Sequence, residues 1–148
     1  CIRFSGHDLQ NPSEYGEYHE RYVSLVPEGD IVQILGDQLK STLDFIPTLV
    51  INPDQPYAPG KWTLQEVLRH MIDTDRVCSY RAFSFARGDQ NELPGMDQDE
   101  YQANANANSR SLEHLFMELT FLRQANVFMF EDFPEIAWMR SAASSWAS

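Results

Sequence analysis

Basic residues and cysteines are scarce in this chain, and each scarcity excludes something. Of 11 basic residues only Lys40 and Lys61 are lysines, against 22 acidic residues and a formal net charge of −11. Phosphate backbones and anionic lipid surfaces attract clustered positive charge. No basic cluster exists here, so neither nucleic acid nor a membrane surface is expected as a partner. The two cysteines are Cys1 and Cys78, one at the chain end and one inside a helical pattern. They form no disulfide framework, which fits a reducing, cytoplasmic setting. No apolar run approaches the roughly 20 residues of a membrane span, and no basic-then-apolar leader is present. Strand alternation and solenoid-length repeats are missing too.

Several catalytic signatures are also absent. There is no Glu-x-x-His pair of the di-iron bundles, no His-Glu-x-x-His, no glycine-rich phosphate loop and no Cys-x-x-Cys. The serines and cysteines lack a local nucleophile motif.

What remains is helical. At 148 residues and 43% hydrophobic content, the chain suits one domain with a real core. Residues 1–29 read as a polar N-terminal extension, with Tyr15, Tyr18 and Tyr22 at helical spacing. Asp30 is a good N-cap. Ile31, Ile34, Leu35, Leu39, Leu43 and Ile46 keep a helical period to about Leu49, with Pro47 able to end it early. A proline-rich loop covers 51–61. A second helix runs from Leu64 to about Arg87, with Gly88 placed to terminate it. Its apolar stripe is Leu64, Leu68, Met71, Asp75, Cys78, Ala82 and Phe85, which puts Cys78 in the core as an inert thiol. Asp75 falls on that stripe and reads as a buried hydrogen bonder for Arg76, Arg81 or a tyrosine. Residues 89–108 form a long polar connection in which Asp97 and Glu100 start a short helix through Tyr101. About twenty residues suffice to run back along one helix and start the next parallel to it. A third helix begins near Ser109–Ser111 and carries Leu112, Leu115, Phe116, Leu119, Leu122, Met129, Phe130 and Phe133. Pro134 opens a final turn with Trp138, and 141–148 form a tail. Stripes this wide pack as a bundle.

The chemistry concentrates at the start of the second helix, Gly60-Lys61-Trp62-Thr63-Leu64-Gln65-Glu66-Val67-Leu68-Arg69-His70-Met71-Ile72-Asp73. Thr63 and Glu66 have the spacing of a capping box. Glu66, His70 and Asp73 follow at i, i+4 and i+7 and share one face. Neutral imidazole is the commonest transition-metal ligand, and a carboxylate neighbour orients it. His70 is thus either a metal ligand or a satisfied core histidine. Glu66 is either a shell residue or only a cap; Asp73 is a ligand, a second acceptor or a solvated residue. Trp62 suits a hydrophobic staple or, alternatively, stacking on a substrate. His114 lies on the polar side of the third helix, and His7 and His19 sit in the irregular N-terminal region.

The pattern Gly60-Lys61-Trp62-Thr63-x-x-Glu66-Val67-x-x-His70-x-x-Asp73 resembles the signature of the DinB-like superfamily. Tyr80-Arg81-Ala82, Phe85-Ala86-Arg87-Gly88-Asp89, Leu93-Pro94-Gly95, the Ala103-to-Asn108 stretch and Arg110-Ser111-Leu112 extend the resemblance, which covers about Tyr18 to Arg140. It implies an all-α, DinB-like four-helix bundle in up-down-down-up order, as one domain over 1–148. Three of its long helices are expected in this chain, with the last absent or truncated. Family members bind a divalent metal, such as zinc or nickel, through three histidines. One matches His70; the other two form a His-x-x-x-His pair on a fourth helix and have no counterpart here. The resemblance implies a metal-dependent hydrolase, or a transferase using a low-molecular-weight thiol, acting on a small molecule. The alternative is a non-catalytic bundle acting through dimerisation or partner binding. Apolar surface left uncovered by the missing helix predicts a homodimer.

Overall fold

The structure is a computed structural model; it describes residues 17–48, 52, 54–56 and 58–140. Tyr15, His7, Cys1 and the tail at 141–148 lie outside the described residues. Helices α1 (Glu20–Val23), α2 (Ile31–Phe45), α3 (Leu64–Ala86), α4 (Gln98–Asn104), α5 (Leu112–Glu131) and α6 (Glu135–Trp138) follow in order, with short 3-10 turns at Glu17–His19, Ile46–Thr48 and Ala107–Ser109. Among the described residues there is no strand.

Local chemistry sets the helix ends. The Asp30 carboxylate accepts from the Val32 and Gln33 amides and starts α2. Pro47 ends α2 early, as its sequence position anticipates: the last turn tightens to 3-10 at Ile46–Thr48. Thr63 and Glu66 form a complete capping box at the head of α3. Gly88, at φ +81, supplies the left-handed residue just after that helix. Asp97 caps α4 through the amides of Asp99 and Glu100, and Ser111 caps α5 through His114 N–H.

The packing follows from which residues meet. Ile46 at the end of α2 packs with Leu68 and Ile72 of α3 and with Leu115 and Leu119 of α5. The end of α2 therefore lies beside the first half of α5, and these two helices run antiparallel. Contacts between α3 and α5 climb together along both sequences: Gln65 reaches Arg110, Arg69 reaches Glu118, and Asp75 reaches Arg123. The two helices are parallel. The connection between them doubles back along α3, since Arg81 donates to Pro94 O at 2.7 Å and Asn108 returns to Thr63 at 3.1 Å. The order up, down, down is that of the expected four-helix-bundle architecture, and the long crossover makes it possible. Arg140 closes the far end by donating to Ala86 O.

The face that α3 buries is rotated from its apolar stripe. Leu68 and Ile72 are buried, but so are Gln65, Arg69, Ser79, Arg81 and Ser84. Cys78, expected in the core, is instead exposed. The reason is that α3 turns a polar face toward α5 and the crossover, where arginines and small polar residues find partners.

Candidate functional site

The head of α3 is held from three directions. Glu66 Oε2 accepts from Thr63 N–H at 2.8 Å, while Thr63 Oγ1 accepts from Glu66 N–H at 3.2 Å. Thr63 Oγ1 donates to Asn108 Oδ1 at 3.1 Å, and Asn108 Nδ2 donates to Glu66 Oε1 at 3.4 Å. The asparagine-rich stretch thus anchors the returning crossover to the cap. Both oxygens of Glu66 are engaged, so it is a cap and a tether.

His70 lies one turn further on. It is half-buried, and the Trp62 ring packs on it with centroids 5.1 Å apart and planes tilted by 56°. Trp62 thereby covers one side of His70. His70 Nδ1 is buried with no hydrogen-bond partner, and so is Thr74 Oγ1 one turn along. An orphaned buried polar atom is costly in a native fold and calls for an explanation. No hydrogen bond joins His70 to Glu66 or Asp73.

Asp73 belongs to a different cluster. Its carboxylate lies 3.9 Å from Arg69 and 3.5 Å from Arg76, so it is neither a partner of His70 nor simply solvated. Arg69 places two nitrogens on Glu118, at 3.2 and 3.3 Å. Arg76 donates to Glu118 at 2.6 Å and Arg110 at 3.2 Å. Three guanidiniums thus converge on one carboxylate. Burial pushes the Glu118 carboxyl up, but the hydrogen bonds from Arg76 and Arg69 outweigh it and hold the pKa below the ordinary carboxylate value. Sequence patterns do not reveal this hub. Its only local trace is Arg69, Asp73 and Arg76 at i, i+4 and i+7.

Asp75 is withdrawn from solvent as expected, its side chain 10% exposed, but its partner is Arg123 at 3.1 Å, with Ser79 donating at 3.4 Å. The parallel packing brings Arg123 of α5 beside it, while Arg76 reaches Glu118. Cys78 has its pKa raised, chiefly by the surrounding protein despite its exposure; the charge of Arg81 opposes that, Asp75 adds to it, and Arg123 opposes it. His114 is exposed, as its place on the polar side of α5 predicts.

As a closed metal site the described residues do not fit. Among them no three histidine, cysteine, aspartate or glutamate side chains gather where they can hold an ion. His70 offers an unpartnered nitrogen, but Glu66 and Asp73 face other donors.

No family model and no curated protein matches the chain. Among solved structures it is similar to YfiT from Bacillus subtilis, described as a probable metal-dependent hydrolase with an unusual four-helix bundle topology. The TM-score is 0.55 at 16% identity, over 76% of this chain. The match spans 63% of the length of that protein. At this identity the likeness is one of fold. It agrees with the all-helical, bundle architecture of the described residues. Among the described residues no helix is long and apolar enough to cross a membrane.

Proposed function

We propose that this chain is the body of a DinB-like metal-dependent enzyme, a hydrolase or thiol-dependent transferase of small molecules. In it His70 supplies one ligand to a divalent metal such as zinc or nickel. The observation that carries this reading is the buried, unpartnered Nδ1 of His70, on a bundle that shares its fold with a protein described as metal-dependent. Stable sites usually take about three or four protein ligands, so the rest of the set comes from residues other than those described. Glu66 is tied to Thr63 and Asn108, and Asp73 to Arg69 and Arg76, so both stand around the site as shell residues. This chain's own contribution is to hold His70 rigidly on a capped helix and to shield it with Trp62. A cytoplasmic setting accompanies this reading, because Cys78 is a free thiol.

The test is metal content after purification, with His70→Ala beside the wild type. The expected result is a bound divalent metal that the variant loses, and a melting temperature that zinc or nickel raises only in the wild type. A metal-free wild type whose melt ignores both ions would overturn the reading.

A stripe on α5 favours the second reading, a non-catalytic bundle that pairs with another copy of itself. Met117, Phe121 and Phe128 are 46%, 62% and 70% exposed and share one side of that helix. Light scattering across protein concentration distinguishes them: a concentration-dependent dimer abolished by Phe121→Lys supports pairing, and a clean monomer rejects it.

A further inference from the structure

Away from His70, a crevice opens between the middle of α3, the turn Leu93-Pro94-Gly95 and Tyr101 of α4, with a volume of about 260 Å³. Ligand pockets run from about 300 to 1,000 Å³, so this one suits a small guest. Its walls are mostly apolar. The charged residues that line it are Arg76 and Arg81, and no carboxylate is among the lining residues. That runs against the balance of the whole chain, which has twice as many acidic as basic residues, 22 against 11.

The two arginines play different parts. Arg81 is 5% exposed and donates to Pro94 O, so it holds the turn and places a positive charge beneath the crevice. Arg76 has a side chain 47% exposed. Its guanidinium carries five N–H donors and meets two carboxylates, Glu118 and Asp73. Those two acids are shared with Arg69 and Arg110. The ion pairs of this cluster join three arginines to two carboxylates, an excess of one positive charge within it. A guanidinium fork suits a carboxylate in geometry as well as charge. Tyr80 and Tyr101, 55% and 44% exposed, stand at the rim as flat aromatic surfaces. The acidic residues of α4 and its cap, Asp97, Asp99 and Glu100, are not among the residues that line the crevice.

We propose that this crevice binds a small organic monoanion, a carboxylate attached to a single ring or an apolar body of similar size. The carboxylate meets Arg76, and the apolar part enters between Val77 and the Leu93-Pro94-Gly95 turn. His70 is not among the lining residues, so this site stands or falls independently of the metal.

The test is calorimetric titration of the full-length protein with benzoate and with benzamide, its neutral counterpart. Benzoate is expected to bind about tenfold more tightly, the effect of one charge-assisted contact. Arg76→Gln removes one of the three arginines on Glu118, so its melting curve is recorded beside the wild type's; it is expected to remove that tenfold preference and leave benzamide unchanged. Val77→Phe fills the crevice and is expected to weaken both ligands. Arg87→Gln changes an exposed arginine outside the crevice and is expected to change neither. Equal affinity for the two ligands, no heat from either, or a preference that survives Arg76→Gln overturns the proposal.

Discussion

Leu68 and Arg69 are neighbours on α3, both are buried, and they hold the bundle in opposite ways. Leu68 sits with Ile46, Ile72, Leu115 and Leu119 in the apolar cluster where α2, α3 and α5 meet. Arg69 sits on the adjoining face, in the charged hub around Glu118. Apolar burial is strong but non-directional; it draws three helices together and accepts any register that keeps the methyl groups dry. Charge-assisted hydrogen bonds are directional. Gln65 with Arg110, Arg69 with Glu118 and Asp75 with Arg123 can all meet only with α3 and α5 parallel and in this register. The cluster supplies cohesion, and the hub selects the arrangement.

Three substitutions sharpen this contrast. Leu68→Ala removes a side chain with no exposure at all and should cost about 3 kcal/mol, read as a lower urea midpoint. A loss of under about 1 kcal/mol would mean that the cluster is loosely packed. Glu118→Gln leaves three guanidiniums around a neutral group. Between the limits for exposed and buried pairs, the cost is about 2 kcal/mol at neutral pH. Its signature is pH. The folded-state pKa of Glu118 lies below its ordinary value of 4.5. Its contribution is therefore complete above that ordinary value and is lost as pH falls through the lower folded value. The stability gap between wild type and Glu118→Gln should narrow as pH drops below about 4.5; a gap constant from neutral to strongly acid pH would refute the hub. The smallest effect belongs to Lys40→Met. Lys40 pairs with Asp44 one turn along α2, which raises its pKa through that hydrogen bond and charge. Both side chains stand in water, where such pairs are worth little. The melting temperature should not move measurably.

The head of α3 is legible in the sequence because its determinants are local. Thr63 and Glu66 are three residues apart, and a capping box needs only that spacing. Asp30, Asp97 and Pro47 are legible for the same reason. The length of the 89–108 connection is informative too, since a parallel neighbour needs a long return. The charged hub is not legible. Arg69 and Glu118 are 49 residues apart, and nothing local distinguishes a buried arginine from a solvated one. Cys78 is exposed against expectation because the buried face of α3 keeps Leu68 but is rotated from the rest of the stripe; distant partners let polar residues such as Arg69 and Arg81 occupy it instead.

His70 shows where the boundary lies. Sequence by itself puts it on a capped helix, in line with Glu66 and Asp73, and places that helix in an all-α chain with a long crossover. Those are consequences of spacing and local hydrogen bonding. Only the tertiary structure decided what surrounds it. The returning crossover occupies Glu66 through Asn108, the arginines claim Asp73, and Trp62 covers the ring, leaving Nδ1 buried and alone. Each of these depends on which distant groups the packing brings close, and no local pattern carries that information.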